Sequence, residues 1–215
     1  MLMKNEIPTL LLLLFLGCNE KTKVNVKLPE QKNTENTFPK QSATQEIKVA
    51  SDETIKTING KLLGLLKDRK YKELSTYIHP EKGITFSMYA NVKPKEDRTF
   101  SAEEFVYYYN KGTKFFWGTK DGSGETYMDT IPNYLSNWVC NKDYTKGIYE
   151  LNAKLSHGNT LENIADVYPK AQIAVNYVKG TEANNEMDWG SLAFVFEEFK
   201  GMYYLVAIIN DRWTI

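Results

Sequence analysis

Three runs of alternating apolar residues in the last third of the chain constrain its fold more than any other feature. Apolar residues at every second position are typical of a β-strand with one buried face. The dipeptide Lys200-Gly201 separates the last two runs, so these two strands are predicted to pair as an antiparallel hairpin with a tight turn. The apolar positions are Ile173, Val175 and Tyr177, then Leu192, Phe194 and Phe196, then Tyr203, Leu205, Ala207 and Ile209.

Helical patterns precede these strands. Apolar residues at three-to-four spacing follow Ser51, which is the predicted N-cap of the first helix. A second short helix is predicted over 71–78, and Pro80 ends it because the residue before a proline avoids helical geometry. Ser101 and Glu104 form a capping box at the start of another helix. The apolar positions of the first helix are Ile55, Ile58, Leu62, Leu65 and Leu66.

Shorter elements lie between the capping box and the last three strands. Strands are predicted over 84–89 and 115–117, with a turn over 121–124, a helix starting near Thr130 and a short helical turn over 160–167. Helices first and antiparallel strands last are typical of an α+β fold. The prediction is a single domain over 51–215, with N-terminal helices packed on a curved, mainly antiparallel sheet.

The first 17 residues are predicted to be a lipoprotein signal peptide. Lys4 supplies the positive start, and the apolar run over 10–16 is shorter than the ~20 residues that span a bilayer. Gly17-Cys18 follows at once, as in the lipobox of bacterial lipoproteins, in which the cysteine receives lipid. An ordinary signal peptide cleaved elsewhere is the alternative. We expect Cys18 to be lipidated, with acyl chains such as palmitate that anchor the protein durably when there are two or more.

A polar stretch over 18–50 is predicted to be the lipidated cysteine and a disordered tether. It is rich in Lys, Asn, Thr, Gln and Glu, and it has no apolar periodicity, so it cannot bury enough surface to offset chain entropy. A coil of this length spans about 30 Å. The predicted location is therefore the bacterial cell envelope, on the outer or the cytoplasmic membrane, with the domain outside the cytoplasm.

The charge balance excludes nucleic acid as a partner. The chain has 27 basic and 27 acidic residues, whereas binding to nucleic acid requires a cationic face. Cys18 and Cys140 are its two cysteines, so a lipidated Cys18 leaves Cys140 without a partner for a disulfide. A nucleophilic Cys140 would need an adjacent base. A lone thiol at a helix end is the favoured interpretation.

Five short strings of the chain carry a resemblance to other proteins. They are 79–84 (HPEKGI), 86–90 (FSMYA), Trp117-Gly118 with 121–124 (DGSG), 187–189 (MDW) and 211–215 (DRWTI). Together they resemble a family of uncharacterised bacterial lipoproteins and secreted domains of the Bacteroidetes type. The order of the elements over 51–215 also resembles the NTF2-like (SnoaL-like) architecture, in which a curved sheet surrounds a cone-shaped pocket. The family resemblance implies export and a single α+β domain, and it implies no known activity and no catalytic residue.

The two histidines and the Gly-rich loop over 121–124 give few candidates for a catalytic or metal-binding site. His79 is expected to bond the last carbonyls of the helix before it, and His157 lies in a polar loop, so no zinc site and no cofactor are predicted. Asp121 and Ser123 lie in a Gly-rich segment that lacks the Gly and Glu of a calcium loop and the flanking Gly of a nucleophile elbow, so a tight turn is predicted there. If the fold is cone-shaped, this turn lies at the pocket rim.

Acidic and aromatic residues give the candidate ligand pocket. Glu197 is one of two adjacent acids in an apolar strand, so it either faces inward, where burial would raise its pKa, or is solvated near the turn. Trp189 follows an acid, and its indole either packs in the core or lines a ligand site for stacking. The predicted pocket residues are Trp117, Asp121, Ser123, Trp189 and Glu197.

Two functions fit this pattern. The first is a lipid-anchored envelope protein that binds a small ligand or another envelope protein without catalysis. The alternative is an NTF2-like hydrolase or isomerase that uses an Asp or Glu of the pocket. An inhibitor-like protein with an exposed apolar patch is a further possibility.

Overall fold

The computed structural model describes residues 51–214 in full and the backbone of residues 40–50. The predicted signal peptide, Cys18 and the first part of the predicted tether lie outside the described residues. No helix in the described part is long and apolar enough to cross a membrane.

The first helix, α1, runs over Lys40–Lys67 and begins eleven residues before the predicted start. Ser51 therefore lies inside the helix, and its assignment as the N-cap is wrong. Lys, Gln, Ala and Glu in residues 40–50 are good helix formers, and a helix already nucleated by a buried face extends through such a stretch. The predicted apolar face is confirmed, since Ile55, Leu62 and Leu66 are buried.

A 3₁₀ helix over Tyr71–Tyr77 follows α1, close to the predicted position. His79 comes next and does not bond the helix carbonyls as expected. Its Nδ1 accepts hydrogen bonds from the backbone N–H groups of Glu81 and Lys82, each at 3.1 Å. The imidazole therefore stabilises the turn after the helix rather than the helix end.

Six of the described strands form an open, mixed sheet. They are β1 Ile84–Ser87, β2 Arg98–Phe100, β5 Ile148–Leu151, β6 Gln172–Val178, β7 Gly190–Phe199 and β8 Met202–Arg212. Their order in the sheet is β2-β1-β8-β7-β6-β5, and all neighbours are antiparallel except β1 and β8, which are parallel. The α+β class and the mainly antiparallel sheet are thus confirmed, and the sheet does not close.

The predicted β7–β8 hairpin is confirmed, and both faces of its strands are buried. Phe194 and Phe196 pack on the side of the helices, whereas Ala193 and Val195 belong to a second apolar cluster on the opposite face. Ile164 of the short helix α4, Ile164–Val167, contributes to that second cluster. The sheet is therefore a middle layer, which explains why its central strands carry apolar residues at nearly every position.

Helix α2, Ala102–Lys111, has the predicted capping box, with Ser101 as N-cap and Gly112 in the left-handed conformation at its end. A two-stranded sheet follows, made of β3, Lys114–Thr119, and β4, Thr126–Thr130. The predicted turn over 121–124 joins these two strands. Their hairpin packs beside the helical layer and carries the candidate residues Trp117 and Asp121.

Helix α3, Ile131–Tyr134, begins after Thr130 as predicted and continues as a π-helical turn over Leu135–Val139. The ring of Tyr134 stacks on that of Trp117, with centroids 3.8 Å apart and planes 8° apart. Both rings are buried, so the space between the hairpin and the helix is filled by aromatic side chains.

Candidate functional site

Two hollows meet at Asp121 and Thr160, and both residues line each of them. We call the pair of hollows the Asp121 cleft. The β3–β4 turn, the loop over 156–161 and the end of β8 build it. Three of the residues proposed from the sequence line the cleft, namely Trp117, Asp121 and Trp189.

The first hollow, the Trp117 hollow, has a volume of about 350 Å³. It combines aromatic and apolar surface with both signs of charge, which is typical of a site for an amphipathic small molecule. Two of its apolar side chains are open to solvent, since Leu161 is 83% exposed and Phe116 is 37% exposed. Its lining includes Tyr89, Asn91, Lys93, Glu96, Asp97, Trp117 and Thr119.

The second hollow, the Trp189 hollow, has a volume of about 510 Å³. Two indoles line it: Trp189 is buried, whereas Trp213 is 39% exposed. The imidazole of His157 stacks on Tyr177 with centroids 3.6 Å apart, which fixes the imidazole plane. The lining residues are Asp121, His157, Gly158, Asn159, Thr160, Trp189, Arg212, Trp213 and Thr214.

The β3–β4 turn is held in place by backbone hydrogen bonds. The N–H of Lys120 donates to the carbonyl of Glu125 at 2.8 Å, and the N–H of Gly124 donates to the carbonyl of Lys120 at 3.0 Å. The N–H of Asp121 donates to the hydroxyl of Tyr89 at 2.9 Å, which ties the turn to the chain after β1. Asp121 is thereby fixed at the mouth of the cleft, with its carboxylate exposed.

Ser123 and Glu197 do not line the cleft. Ser123 is exposed in the turn, where its hydroxyl accepts from the N–H of Glu125 at 3.3 Å. The Glu197 side chain is 12% exposed and forms an ion pair with Lys82, near the turn that ends β7. Its strand therefore does not direct it into the cleft with Trp117 and Trp189.

Asp97 is an acidic residue of the Trp117 hollow that the sequence pattern did not single out. Burial raises the pKa of its carboxyl group, although hydrogen bonds from the backbone of Lys93 and the hydroxyl of Ser87 act in the opposite direction. The N–H of Lys93 donates to Asp97 Oδ2 at 2.7 Å. A carboxyl group with a raised pKa at the wall of a hollow is a candidate acid or base.

Arg212 is the second residue that the sequence pattern did not single out for this site. Its guanidinium lies over the ring of Trp138, with the carbon Cζ 3.9 Å from the ring centroid. Nη2 donates to the carbonyl of Trp138 at 2.5 Å, whereas Nε is buried without a hydrogen-bond partner. Burial lowers the pKa of the guanidinium, and neighbouring tyrosines oppose that effect, Tyr144 most strongly.

Asp211, next to Arg212, lies on the opposite face of β8 and is almost fully buried. Its Oδ1 accepts from the Thr160 hydroxyl at 3.4 Å, and its Oδ2 has no partner. Burial raises the pKa of this carboxyl group, and a hydrogen bond from Ser156 lowers it. The acid thus holds the loop over 156–161 against the end of β8.

Cys140 lies in a separate hollow of about 360 Å³, beside Tyr71 and Arg69. Burial raises the pKa of the Cys140 thiol to about 12 and, likewise, the pKa of Tyr71 to about 12. The thiol is therefore protonated at neutral pH, and its position after Val139 confirms the prediction of a thiol at a helix end.

A serine and a histidine approach each other at the sheet end, with Ser191 Oγ 3.4 Å from His157 Nδ1. Ser191 is fully buried, so its hydroxyl cannot meet a substrate. Within the described residues, no group of three or more His, Cys, Asp or Glu side chains is placed to hold a metal ion.

No family model matches the chain, and no curated protein or solved structure matches it either. The function is therefore inferred from the geometry of the cleft.

Proposed function

We propose that the protein is a lipid-anchored protein of the bacterial envelope whose folded domain binds a small ligand in the Asp121 cleft without catalysis. The position of the tryptophans is the observation that carries the binding proposal. Of the four tryptophans of the chain, Trp117, Trp189 and Trp213 line the two hollows of the cleft. Trp138 lies beneath Arg212 at one wall. Indoles beside polar groups suit a ligand with both apolar and hydrogen-bonding surface.

The positions of Cys140 and Ser191 support binding at the cleft. The Cys140 thiol is protonated at neutral pH and lies in another hollow, and the Ser191 hydroxyl is buried. The polar groups at the mouth of the cleft, among them Asp121 and Thr160, are placed to exchange hydrogen bonds with a ligand.

Binding can be tested with the full chain in detergent, by tryptophan fluorescence during titration with a panel of glycans, nucleosides and amino acids. Trp213→Ala removes an exposed indole of the cleft, and Tyr107→Ala removes an aromatic ring that is 56% exposed on α2, away from the cleft. A ligand of the cleft loses affinity at least fivefold in the first variant and keeps it in the second. Equal effects of the two variants, or binding only of a partner protein from the envelope, would contradict the small-ligand proposal.

The anchor is proposed on Cys18, from the apolar run and the small residue before it. The test is membrane fractionation of the Cys18→Ala variant, together with labelling by a palmitate analogue. The expected result is loss of both the label and the membrane fraction, whereas Cys140→Ala keeps them. A Cys18→Ala protein that stays in the membrane fraction would refute the lipid anchor.

The alternative is an NTF2-like hydrolase or isomerase, and the raised pKa of Asp97 in the Trp117 hollow is the observation that favours it. In this alternative the carboxyl of Asp97 transfers a proton, and Lys93 in the same hollow is the nearby donor. A panel of chromogenic esters and enolisable ketones tests the proposal. Turnover that Asp97→Asn abolishes and Glu96→Gln retains would favour the enzyme over the binding protein.

A further inference from the structure

We propose that Arg212 binds a carboxylate of the ligand, so that the Asp121 cleft recognises an acidic saccharide. This inference rests on the proposed ligand-binding function and names its ligand class. The juxtaposition that carries it is a partly buried guanidinium without a carboxylate partner, in a residue that lines the same hollow as two indoles.

The position of Arg212 in the sheet explains why its side chain is enclosed. Arg212 is the last residue of β8 and pairs with Gly190, the first residue of β7. A Cβ at Gly190 would lie 2.9 Å from the hydroxyl of Tyr144, so only glycine fits beside these side chains. The guanidinium itself lies over the ring of Trp138.

Arg212 has no carboxylate partner in an ion pair among the described residues. Ion pairs of the described residues join lysines to carboxylates, and none of them includes Arg212. Asp211 projects from the opposite face of β8, towards Thr160. The largest electrostatic effects of neighbouring side chains on the guanidinium come from four tyrosines, namely Tyr144, Tyr89, Tyr134 and Tyr127. Buried charges in proteins are normally paired, so an anion from outside completes this arrangement.

The hydrogen-bonding capacity of the guanidinium is also only partly used. A guanidinium has five N–H donors in a planar fork that matches the two oxygens of a carboxylate. The structure accounts for one donor to a protein oxygen, Nη2 to the carbonyl of Trp138. Because Nε is buried without a partner, a ligand meets the guanidinium at its Nη1 and Nη2 end. A bidentate carboxylate satisfies donors and charge together.

The remaining lining of the Trp189 hollow suits a sugar ring. The exposed indole of Trp213 offers a flat apolar face, against which the C–H face of a pyranose can stack. Asn159, Thr160 and Asp121 offer side chains that exchange hydrogen bonds with ring hydroxyls. Asp121 lies at the exposed mouth, where solvent screens its charge from a carboxylate bound at Arg212.

The competing explanation is purely structural. In that case Arg212 stacks on Trp138 and donates to the Trp138 carbonyl in the π-helical turn, and no ligand is needed. This role predicts that Arg212 affects folding but does not distinguish acidic from neutral ligands.

The test compares trigalacturonic acid with its methyl ester, which has the same rings without the charge. The full chain in detergent is titrated calorimetrically with each at low salt. The acid is expected to bind at least tenfold more tightly than the ester. Added salt should lower the affinity for the acid more than the affinity for the ester. No binding of the acid, or equal affinities for acid and ester, would overturn the proposal.

Two variants separate charge recognition from folding. Arg212→Gln should remove the preference for the acid, whereas Arg212→Lys keeps the charge without the fork and should retain part of it. Near-ultraviolet circular dichroism identifies a variant that fails to fold. If a variant fails to fold, the affinities of the unaltered protein for the acid and the ester are the test of the proposal. One outcome would refute the carboxylate site and leave the proposed function intact. In it, uncharged ligands bind and Trp213→Ala weakens their binding, but the protein shows no preference for the acid over the ester. Absence of any such ligand would refute both.

Discussion

The docking of α1 on the sheet depends on a buried pair of asparagines, Asn59 on the helix and Asn176 on β6. Their side-chain amides exchange two hydrogen bonds, of 2.9 and 2.8 Å, and the Asn176 amide also donates to the carbonyl of Leu192 at 3.3 Å. Both side chains are almost fully buried. A polar group that loses its hydrogen-bond partner there cannot replace it with water.

Replacing one asparagine by leucine therefore costs stability in a way that can be estimated from these contacts. Asn59→Leu leaves the Asn176 carbonyl oxygen unpaired while its amide retains Leu192, which costs about 1–3 kcal/mol. Asn176→Leu leaves both groups of Asn59 unpaired and should cost about twice as much. The double variant removes all the buried polar groups of the pair. Its loss of unfolding free energy should therefore be smaller than the sum of the two single losses by about 2 kcal/mol or more.

Urea unfolding, followed by far-ultraviolet circular dichroism, measures the three free energies of unfolding. The exposed substitution Lys56→Leu on the same helix is the control for added apolar volume. Additive single effects, within 0.5 kcal/mol, would refute the reciprocal pairing. So would an Asn59→Leu effect larger than that of Asn176→Leu.

Three further predictions concern buried groups. The hydroxyl of Tyr134 is buried without a partner, so Tyr134→Phe should leave the free energy of unfolding unchanged or raise it by about 1 kcal/mol in the same urea assay, and a loss above 1 kcal/mol would contradict this. Burial raises the pKa of Asp97, so its contribution to stability falls as the pH rises from 3.8 through the folded-state pKa. The Asp97→Asn variant should flatten that part of the curve of unfolding free energy against pH. Identical curves for the variant and the unaltered protein would contradict this prediction. With a thiol pKa of about 12, Cys140 should react with iodoacetamide at pH 7 at least tenfold more slowly in the native than in the urea-unfolded protein, by peptide mass spectrometry; equal rates would contradict it.

The sequence predicted the elements whose signals are local. The alternation around Phe194 and Leu205 and the turn at Lys200-Gly201 gave the hairpin, because strand periodicity and turn chemistry act over a few residues. The Ser101 capping box is equally local. Strands β2, β4 and β5 were missed, since they are only three to five residues long and half-exposed, and partners distant in sequence decide whether they form.

The start of α1 shows how composition misleads. The polar residues before Ser51 were assigned to a tether because they carry no apolar stripe, yet the helix begins at Lys40. Helix propensity was the relevant signal in this stretch, and the buried face further along provides the nucleus.

The candidate site could be predicted in part. Trp117, Asp121 and Trp189 were chosen as aromatic and acidic residues near turns, and they line the cleft, whereas Glu197 pairs with Lys82 elsewhere. Arg212 was not chosen because its environment is built by the π-helical turn after α3 and by β7, which lie far from it in sequence. A charged residue at the end of an otherwise apolar strand was the available signal.

Nuclear magnetic resonance of the indole N–H groups tests the central claim, that the Asp121 cleft binds a small ligand, most directly. The four tryptophans give four indole signals, which single Trp→Phe variants assign. During titration of the full chain in detergent with the ligand panel and trigalacturonic acid, a bound ligand should shift the signal of Trp117 or those of Trp189 and Trp213 saturably, according to the hollow that it occupies. If no member of the panel moves any of the four signals, or if bound ligands leave Trp117, Trp189 and Trp213 all unchanged, the claim is wrong.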